Sequence, residues 1–258
     1  MAGIDPRAAV DERASLGKDV EIGPFCVVGP EVKLGDRCRL MSHDVVEGPT
    51  TIGAETVIWP FSSIGGAPQD LKYAGEPTRL EIGARNVIRE TVTLNRGTTG
   101  GGGVTRIGDD NLLMAYTHVG HDSRIGDDNI LANGATLAGH VEIGNHATVG
   151  AYSGIHQFCR IADFAFIGGC SVLTQDALPW VTTVGNRAKA YGLNLVGLRR
   201  RGYPTETIQA LKRTYATLFR SKLRLSEALD AAEKDAGDFA EVRYFLDFVR
   251  SSKRGVTR

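Results

Sequence analysis

The sequence is short of the features that define several large protein classes. Its 258 residues hold only four cysteines, and none stands in a CxxC or other metal-ligand spacing, so neither a disulfide scaffold nor a cysteine metal site is indicated. No uncharged apolar run approaches the ~20 residues of a membrane span, so no integral membrane segment is expected. The chain opens Met1-Ala2-Gly3-Ile4-Asp5-Pro6-Arg7, without the apolar segment of a signal peptide, which predicts a cytoplasmic location. Net charge is also lacking, with 30 Lys+Arg against 30 Asp+Glu, and no nucleic-acid partner is expected. That balance conceals an asymmetry. Residues 1–184 carry 14 basic against 22 acidic side chains, and residues 185–258 carry 16 against 8. A basic end on an acidic body suits an acidic partner.

Glycine is what the sequence has in excess, at 32 residues, where an average share is about 7 %. An aliphatic residue recurs every six positions in three runs. The first goes from Ile4 through Ile22, Leu40 and Ile58 to Ile64, the second is Ile82, Ile88 and Leu94, and the third goes from Ile107 to Leu173. Glycine follows many of them, as in Ile22-Gly23, Ile52-Gly53 and Ile125-Gly126, and a small residue usually stands four places on, as at Cys26, Cys38, Ser62, Ala135 and Ser153. A period of six fits neither a helix nor an alternating strand. It fits a coil with flat sides, in which the aliphatic points inward and the small residue fills the crowded interior. Glycine is expected to take the corner dihedrals. Three sides close a turn of 18 residues, so the sequence predicts a mostly β protein, a parallel β-helix over residues 1–184. Cys26, Cys38 and Cys159 fall in the small slot and read as packing residues.

Two breaks interrupt the register, about Gly65–Leu80 and about Asn95–Arg106. Breaks in a solenoid map to surface loops, often on the binding face. The second contains Gly100-Gly101-Gly102-Gly103, but no Gly-Lys-Ser/Thr follows, so a flexible excursion is expected rather than a phosphate loop. After Leu173 the hexads stop. Ile208, Leu211, Tyr215, Leu218 and Phe219 share one helical face, with Thr205 expected to cap its start. Leu225–Ala232 and Phe239–Val249 read as further helices, which makes residues 185–258 a helical C-terminal domain.

Five of the six histidines fall between residues 118 and 156. Adding one turn of 18 residues to His121 reaches Gly139, and a second turn reaches Gln157, so these three are expected in one column flanked by His140 and His156. Histidine suits proton transfer near neutrality, Asp122 is placed to orient His121, and Gly139 offers a backbone N–H to a developing oxyanion. No serine or cysteine nucleophile is evident beside His121. Direct transfer of an acyl group to a hydroxyl is the simplest chemistry. A zinc site of three imidazoles and a water is the rival, and the spacings do not decide between them.

Longer motifs narrow the field. Gln69-Asp70-Leu71-Lys72-Tyr73-Ala74-Gly75-Glu76-Pro77-Thr78, His118-Val119-Gly120-His121-Asp122, Ile155-His156-Gln157-Phe158 and Gly192-Leu193-Asn194 leading to Leu198-Arg199-Arg200-Arg201-Gly202 resemble the UDP-N-acetylglucosamine 3-O-acyltransferase family of lipid A synthesis. The resemblance covers essentially the whole chain. It implies a left-handed coil, against the usual right-handed crossover. It also implies a homotrimer with active sites between subunits, a 3-hydroxyacyl donor on acyl carrier protein, UDP-N-acetylglucosamine as acceptor, and neither a cofactor nor a metal. By the resemblance His121 is the general base, Asp122 its orienting neighbour and Gly139 the oxyanion donor. Asp70, His118, His140, His156 and Gln157 are acceptor-sugar contacts, Lys72 carries charge near the donor, and Asn194, Arg200 and Arg201 hold the nucleotide end, where arginine's fork suits phosphate. Where some relatives carry glutamate this sequence has Val196, which removes one nucleotide contact. Asn95 stands where some carry histidine, which bears on recognition at the sugar's 3-position. Gly169 falls where the family limits acyl length, and glycine there implies room for a longer chain.

Four alternatives stand beside this reading. The related N-acyltransferase usually carries an extra N-terminal domain, whereas hexads here begin at Ile4. A γ-class carbonic anhydrase is a zinc enzyme on the same coil. A purely structural solenoid has no reason to cluster histidines, and a coenzyme A-dependent transferase of small acyl groups has less use for a basic tail.

Overall fold

The computed structural model describes residues 3–258, so the first two residues of the expected solenoid lie outside the described residues. The hexads form a left-handed parallel β-helix of triangular section. Its faces are sheets of 11, 9 and 8 short strands, called here the first, second and third faces in the order the chain visits them. Partners lie one turn apart, as in Ile4 with Ile22 and His118 with Thr136, an offset of 18 residues. The two breaks are insertions that leave the coil intact: the offset widens to 30 at Val57 with Val87 and to 25 at Thr93 with His118, then returns to 18.

The inward aliphatics form one continuous core. Ile58, Ile88, Leu113, Leu131 and Ile167 are fully buried, whereas Ile4, in the first described turn, is 42 % exposed. Cys26, Cys38 and Cys159 are buried in the small slot, and burial pushes their thiols up.

Glycine's role differs from the expectation. The left-handed corner position is three residues after each inward aliphatic, and it is held by Phe25, His43, Phe61, Tyr116, Asp122, His140 and Phe164 among others, with φ between 56° and 68°. Apart from Gly65, which opens the first insertion at φ 77°, the glycine directly after the aliphatic has no positive φ. It is required because successive turns touch there: a Cβ on Gly23 would lie 1.6 Å from the Met41 carbonyl oxygen. Side chains at the left-handed positions project outward and stack from turn to turn, as Phe25, His43 and Phe61 do at 5.0 and 4.9 Å.

The small slot also admits buried asparagines (Asn86, Asn111 and Asn129) and, at Asp44, a carboxyl group. Asp44 is fully buried between Cys26 and Ser62, its Oδ1 accepting the Ser62 N–H at 3.0 Å. Burial raises its carboxyl from 3.8 to about 7. The folded state therefore keeps this proton to higher pH than the unfolded chain, and stability falls as pH rises from about 4 to about 7 and stays reduced above. Asp44→Asn keeps the acceptor and removes the charge. It should be more stable than wild type at pH 8, by up to roughly 4 kcal/mol at 1.36 kcal/mol per pH unit, with the gain gone by pH 4. Thermal melts of both proteins across that range check this.

Below the coil, Val181–Val184 pairs antiparallel with Lys189–Leu193, and four helices follow: α1 (Leu195–Arg200), α2 (Thr205–Phe219), α3 (Leu225–Lys234) and α4 (Ala240–Ser251). The sequence reading missed α1, a short helix with Gly197 in its middle. Thr205 is the first residue of α2 rather than its cap, a place taken by Pro204. A second core joins Leu178, Trp180 and Val181 of the last turn to Leu211, Phe245 and Leu246. The chain then returns to the coil, where buried Asp176 accepts from Arg160 N–H at 2.9 Å and the Ser252 hydroxyl at 2.7 Å.

Candidate active site

The corner between the second and third faces brings together His118, His121, His140 and His156. Gly139 lies one turn below His121, as the column arithmetic expects: a Cβ built on it would sit 2.6 Å from His121 Cε1 and 2.7 Å from Nε2. Gln157 lies a turn further on. His118, His121, Gly139, His156 and Gln157 line one cleft of about 560 Å³, with Gln69 of the first insertion and Asn95 at its upper edge.

The polar geometry of the cleft is specific. Asp122 is fully withdrawn from solvent at its side chain, and its Oδ2 accepts from His121 Nδ1 at 2.8 Å. With the proton on Nδ1, the lone pair of Nε2 faces the cleft, an assignment that follows from the acceptor-only carboxylate. His118 Nδ1 is 2.7 Å from the Thr93 hydroxyl, and burial, then the nearness of His121, lowers its basicity. Burial also lowers His140, whose ring stacks on Phe158 at 4.5 Å and whose Nε2 lies 3.7 Å from Asp122. Among the described residues nothing accepts from the Gly139 N–H, which leaves it available to an oxyanion.

His140 flanks this cleft rather than lining it. Asp70 and Lys72 sit on the first insertion, where Asp70 Oδ1 accepts the Lys72 N–H at 3.0 Å and Leu71 is fully exposed. The second insertion is not the free excursion expected of its glycines. It closes over Asp122 through Thr98, and Arg96 ties it to the Gly48 and Gly65 carbonyls and the Tyr73 hydroxyl. Asn95 is buried, its Nδ2 donating to the Ala67 carbonyl at 2.8 Å. His121, Asp122 and His140 also form the described residues' one group of ligand atoms close enough for a metal, all within 4.8 Å. It offers two imidazoles and a carboxylate already engaged by three donors, not the three imidazoles of the zinc reading.

Asn194, Arg200 and Arg201 are not in this cleft. They border a second one, of about 470 Å³, at the corner between the third and first faces. Asn194 Oδ1 accepts the Gly197 N–H at 2.9 Å to cap α1, and the Arg201 guanidinium lies 5.0 Å from the Phe164 ring centre. Beneath them runs a ladder of His146, Phe164 and Trp180 with ring separations of 4.8 and 5.6 Å. The sequence reading missed this ladder, although Phe164 is one turn of 18 residues after His146. Val196 lines the same cleft and is 59 % exposed. Gly169 sits at the first corner, between the first and second faces, and a Cβ there would meet nothing closer than 3.3 Å. Arg254, also missed, returns from the C-terminal tail to within 3.2 Å of His156 Nδ1.

Known proteins of the same shape carry matching names. The profile of UDP N-acetylglucosamine O-acyltransferase, domain 2, matches residues 176–257, and that of the bacterial transferase hexapeptide matches residues 105–139. The acyl-[acyl-carrier-protein]–UDP-N-acetylglucosamine O-acyltransferase of Alkalilimnicola ehrlichii is 50 % identical over 198 residues, 77 % of each chain. The crystal structure of UDP-N-acetylglucosamine O-acyltransferase from Moraxella catarrhalis RH4 superposes with a TM-score of 0.96 at 45 % identity, over 99 % of both chains. The corresponding Arabidopsis acyltransferase gives 0.88 at 35 %, over 99 % of this chain and 100 % of that one.

Proposed function

This chain belongs to the UDP-N-acetylglucosamine O-acyltransferase family and transfers an acyl group from acyl carrier protein to UDP-N-acetylglucosamine in lipid A synthesis; we propose that it does so by direct attack, with His121 as the general base. Nε2 takes the proton of the sugar 3-hydroxyl as that oxygen bonds to the thioester carbonyl carbon. The Gly139 N–H stabilises the oxyanion, the carbon–sulfur bond breaks, and the proton passes to the departing carrier thiolate. The observation that carries this reading is the Asp122–His121–Gly139 column, which aims one imidazole nitrogen and one free N–H into the same cleft. Asp70, His118, His140, His156 and Gln157 hold the sugar, and Lys72 meets the donor.

Asn194, Arg200 and Arg201 serve the nucleotide of a neighbouring copy in a homotrimer. Exposed apolar side chains support this. Phe25, Phe61, Tyr116 and Tyr152 project from the first corner, with Ile130 and Phe166 on the first face and Val27, Val45 and Val172 on the second. The third face instead bears ion pairs such as Arg106–Glu81 and Arg160–Glu142. A three-fold axis at the first corner covers the apolar edge and turns the second-face cleft of one copy toward the first-face cleft of the next. Sedimentation at three times 27.7 kDa is the expected result, and a monomer would contradict it. The boundary between solenoid and helical domain is set at residues 184/185. No helix of the described residues is long and apolar enough to cross a membrane. The acidic carrier docks at the basic end, where Arg187, Lys189 and Arg258 border one cavity near Arg254 and His156.

The test offers the purified chain a panel of 3-hydroxyacyl carrier proteins with UDP-N-acetylglucosamine. Transfer to the 3-oxygen is expected, with a preference for longer acyl chains. Gly169→Met should move that preference to shorter chains. A length preference left unchanged by Gly169→Met would remove Gly169 from the site.

A further inference from the structure

We propose that Thr98, in the glycine-rich second insertion, is a positioning residue for the general base and acts through Asp122. The inference rests on the reading of His121 as that base. The buried Asp122 carboxylate has three donors, and Thr98 supplies two of them. Its backbone N–H reaches Oδ1 at 2.8 Å and its hydroxyl reaches Oδ2 at 2.6 Å, while His121 Nδ1 takes Oδ2 at 2.8 Å. The carboxylate can only accept, so the hydroxyl proton points at it, while Thr98 Oγ1 accepts the Gly101 N–H at 3.2 Å. From the other side the Asp122 N–H donates to the Thr105 hydroxyl at 2.8 Å.

The glycines of the insertion are explained by the same contact. A Cβ on Gly101 would lie 2.0 Å from Asp122 Cγ, and one on Gly97 would lie 2.8 Å from Oδ1. The chain thus passes directly over the carboxylate, where only glycine fits, and excludes water from it. A carboxylate held on both oxygens presents one fixed direction to Nδ1, which fixes the ring plane and keeps Nε2 free for the acceptor hydroxyl. The insertion has anchors besides this hydroxyl. Arg96 anchors it to the Gly48 and Gly65 carbonyls, and Arg79 N–H donates to the Gly103 carbonyl at 2.9 Å.

The experiment compares Thr98→Val, Thr98→Ser and His121→Ala with wild type in steady-state acyl transfer across pH. Thr98→Val keeps the backbone N–H and loses only the hydroxyl. Its kcat should fall about 10-fold, the scale of one charge-assisted hydrogen bond, with both KM values within about twofold. Its acid limb in kcat/KM should move to higher pH, because a carboxylate relieved of one donor holds the imidazolium more strongly. Thr98→Ser should restore both kcat and the limb. Thr98→Ala serves the same comparison if the valine variant does not fold. Wild-type kcat in Thr98→Val beside an inactive His121→Ala would overturn this inference alone. So would a serine variant as slow as the valine one with an unmoved acid limb, since that describes a structural residue. An active His121→Ala would overturn the base assignment and this inference with it.

Discussion

His121→Ala should lower kcat by about 10³-fold, within the 10²–10⁴ range of a lost general base, while melting temperature and oligomeric mass stay those of wild type. The ring is only partly buried, and its contacts are with Asp122, His140 and the space over Gly139, not with the aliphatic core. Truncation therefore costs chemistry rather than packing. KM for the sugar nucleotide should change little, because the bond being lost forms with a proton that moves only in the transition state. His118 and His140 are poor substitutes. Burial lowers the basicity of both, and His118 Nδ1 is engaged with the Thr93 hydroxyl. Parallel measurement of kcat, KM and thermal melting separates this outcome from simple unfolding.

Gly139→Ala should be nearly as damaging, by roughly 10²-fold in kcat, although it adds one methyl group and removes nothing. The Cβ would stand 2.6, 2.7 and 3.1 Å from Cε1, Nε2 and Nδ1 of His121, under or close to the shortest separations that side chains tolerate. Gly139 has no positive φ, so alanine suits the backbone and the coil should fold normally. Relief comes only by turning the imidazole, which breaks the 2.8 Å bond to Asp122 or points Nε2 away from the acceptor. Loss of kcat with an unchanged melting curve is expected. Wild-type turnover in Gly139→Ala would mean that the direction of the His121 ring is immaterial.

The translational symmetry of the coil explains what the sequence made readable. In a solenoid a sequence separation of one turn is a spatial contact, so hexads and 18-residue steps sufficed to put Gly139 beneath His121. The same rule hid whatever crosses an insertion. Thr93 meets His118 at a separation of 25 and Thr98 meets Asp122 at 24, offsets set by loop lengths that no period encodes. Hence the glycine tract read as a loose excursion when it is the cover of a buried carboxylate. Glycines after the aliphatics invited a dihedral explanation, but the limit is the distance between turns, a tertiary property. Arg254 reaches His156 across 98 residues through the docking of the helical tail, which leaves no local trace. Asn194, Arg200 and Arg201, expected from the resemblance to hold the nucleotide, border a different cleft from His121 in a single chain.

The most direct test of the account is the pH dependence of kcat/KM for transfer from a 3-hydroxyacyl carrier protein to UDP-N-acetylglucosamine, in wild type and in His121→Ala. A neutral imidazole acting as base should give the wild type a limb that rises with unit slope from acid toward a plateau, while the residual rate of the variant stays flat over the same range. The same acid limb surviving in His121→Ala would assign the proton transfer to another group and contradict the account.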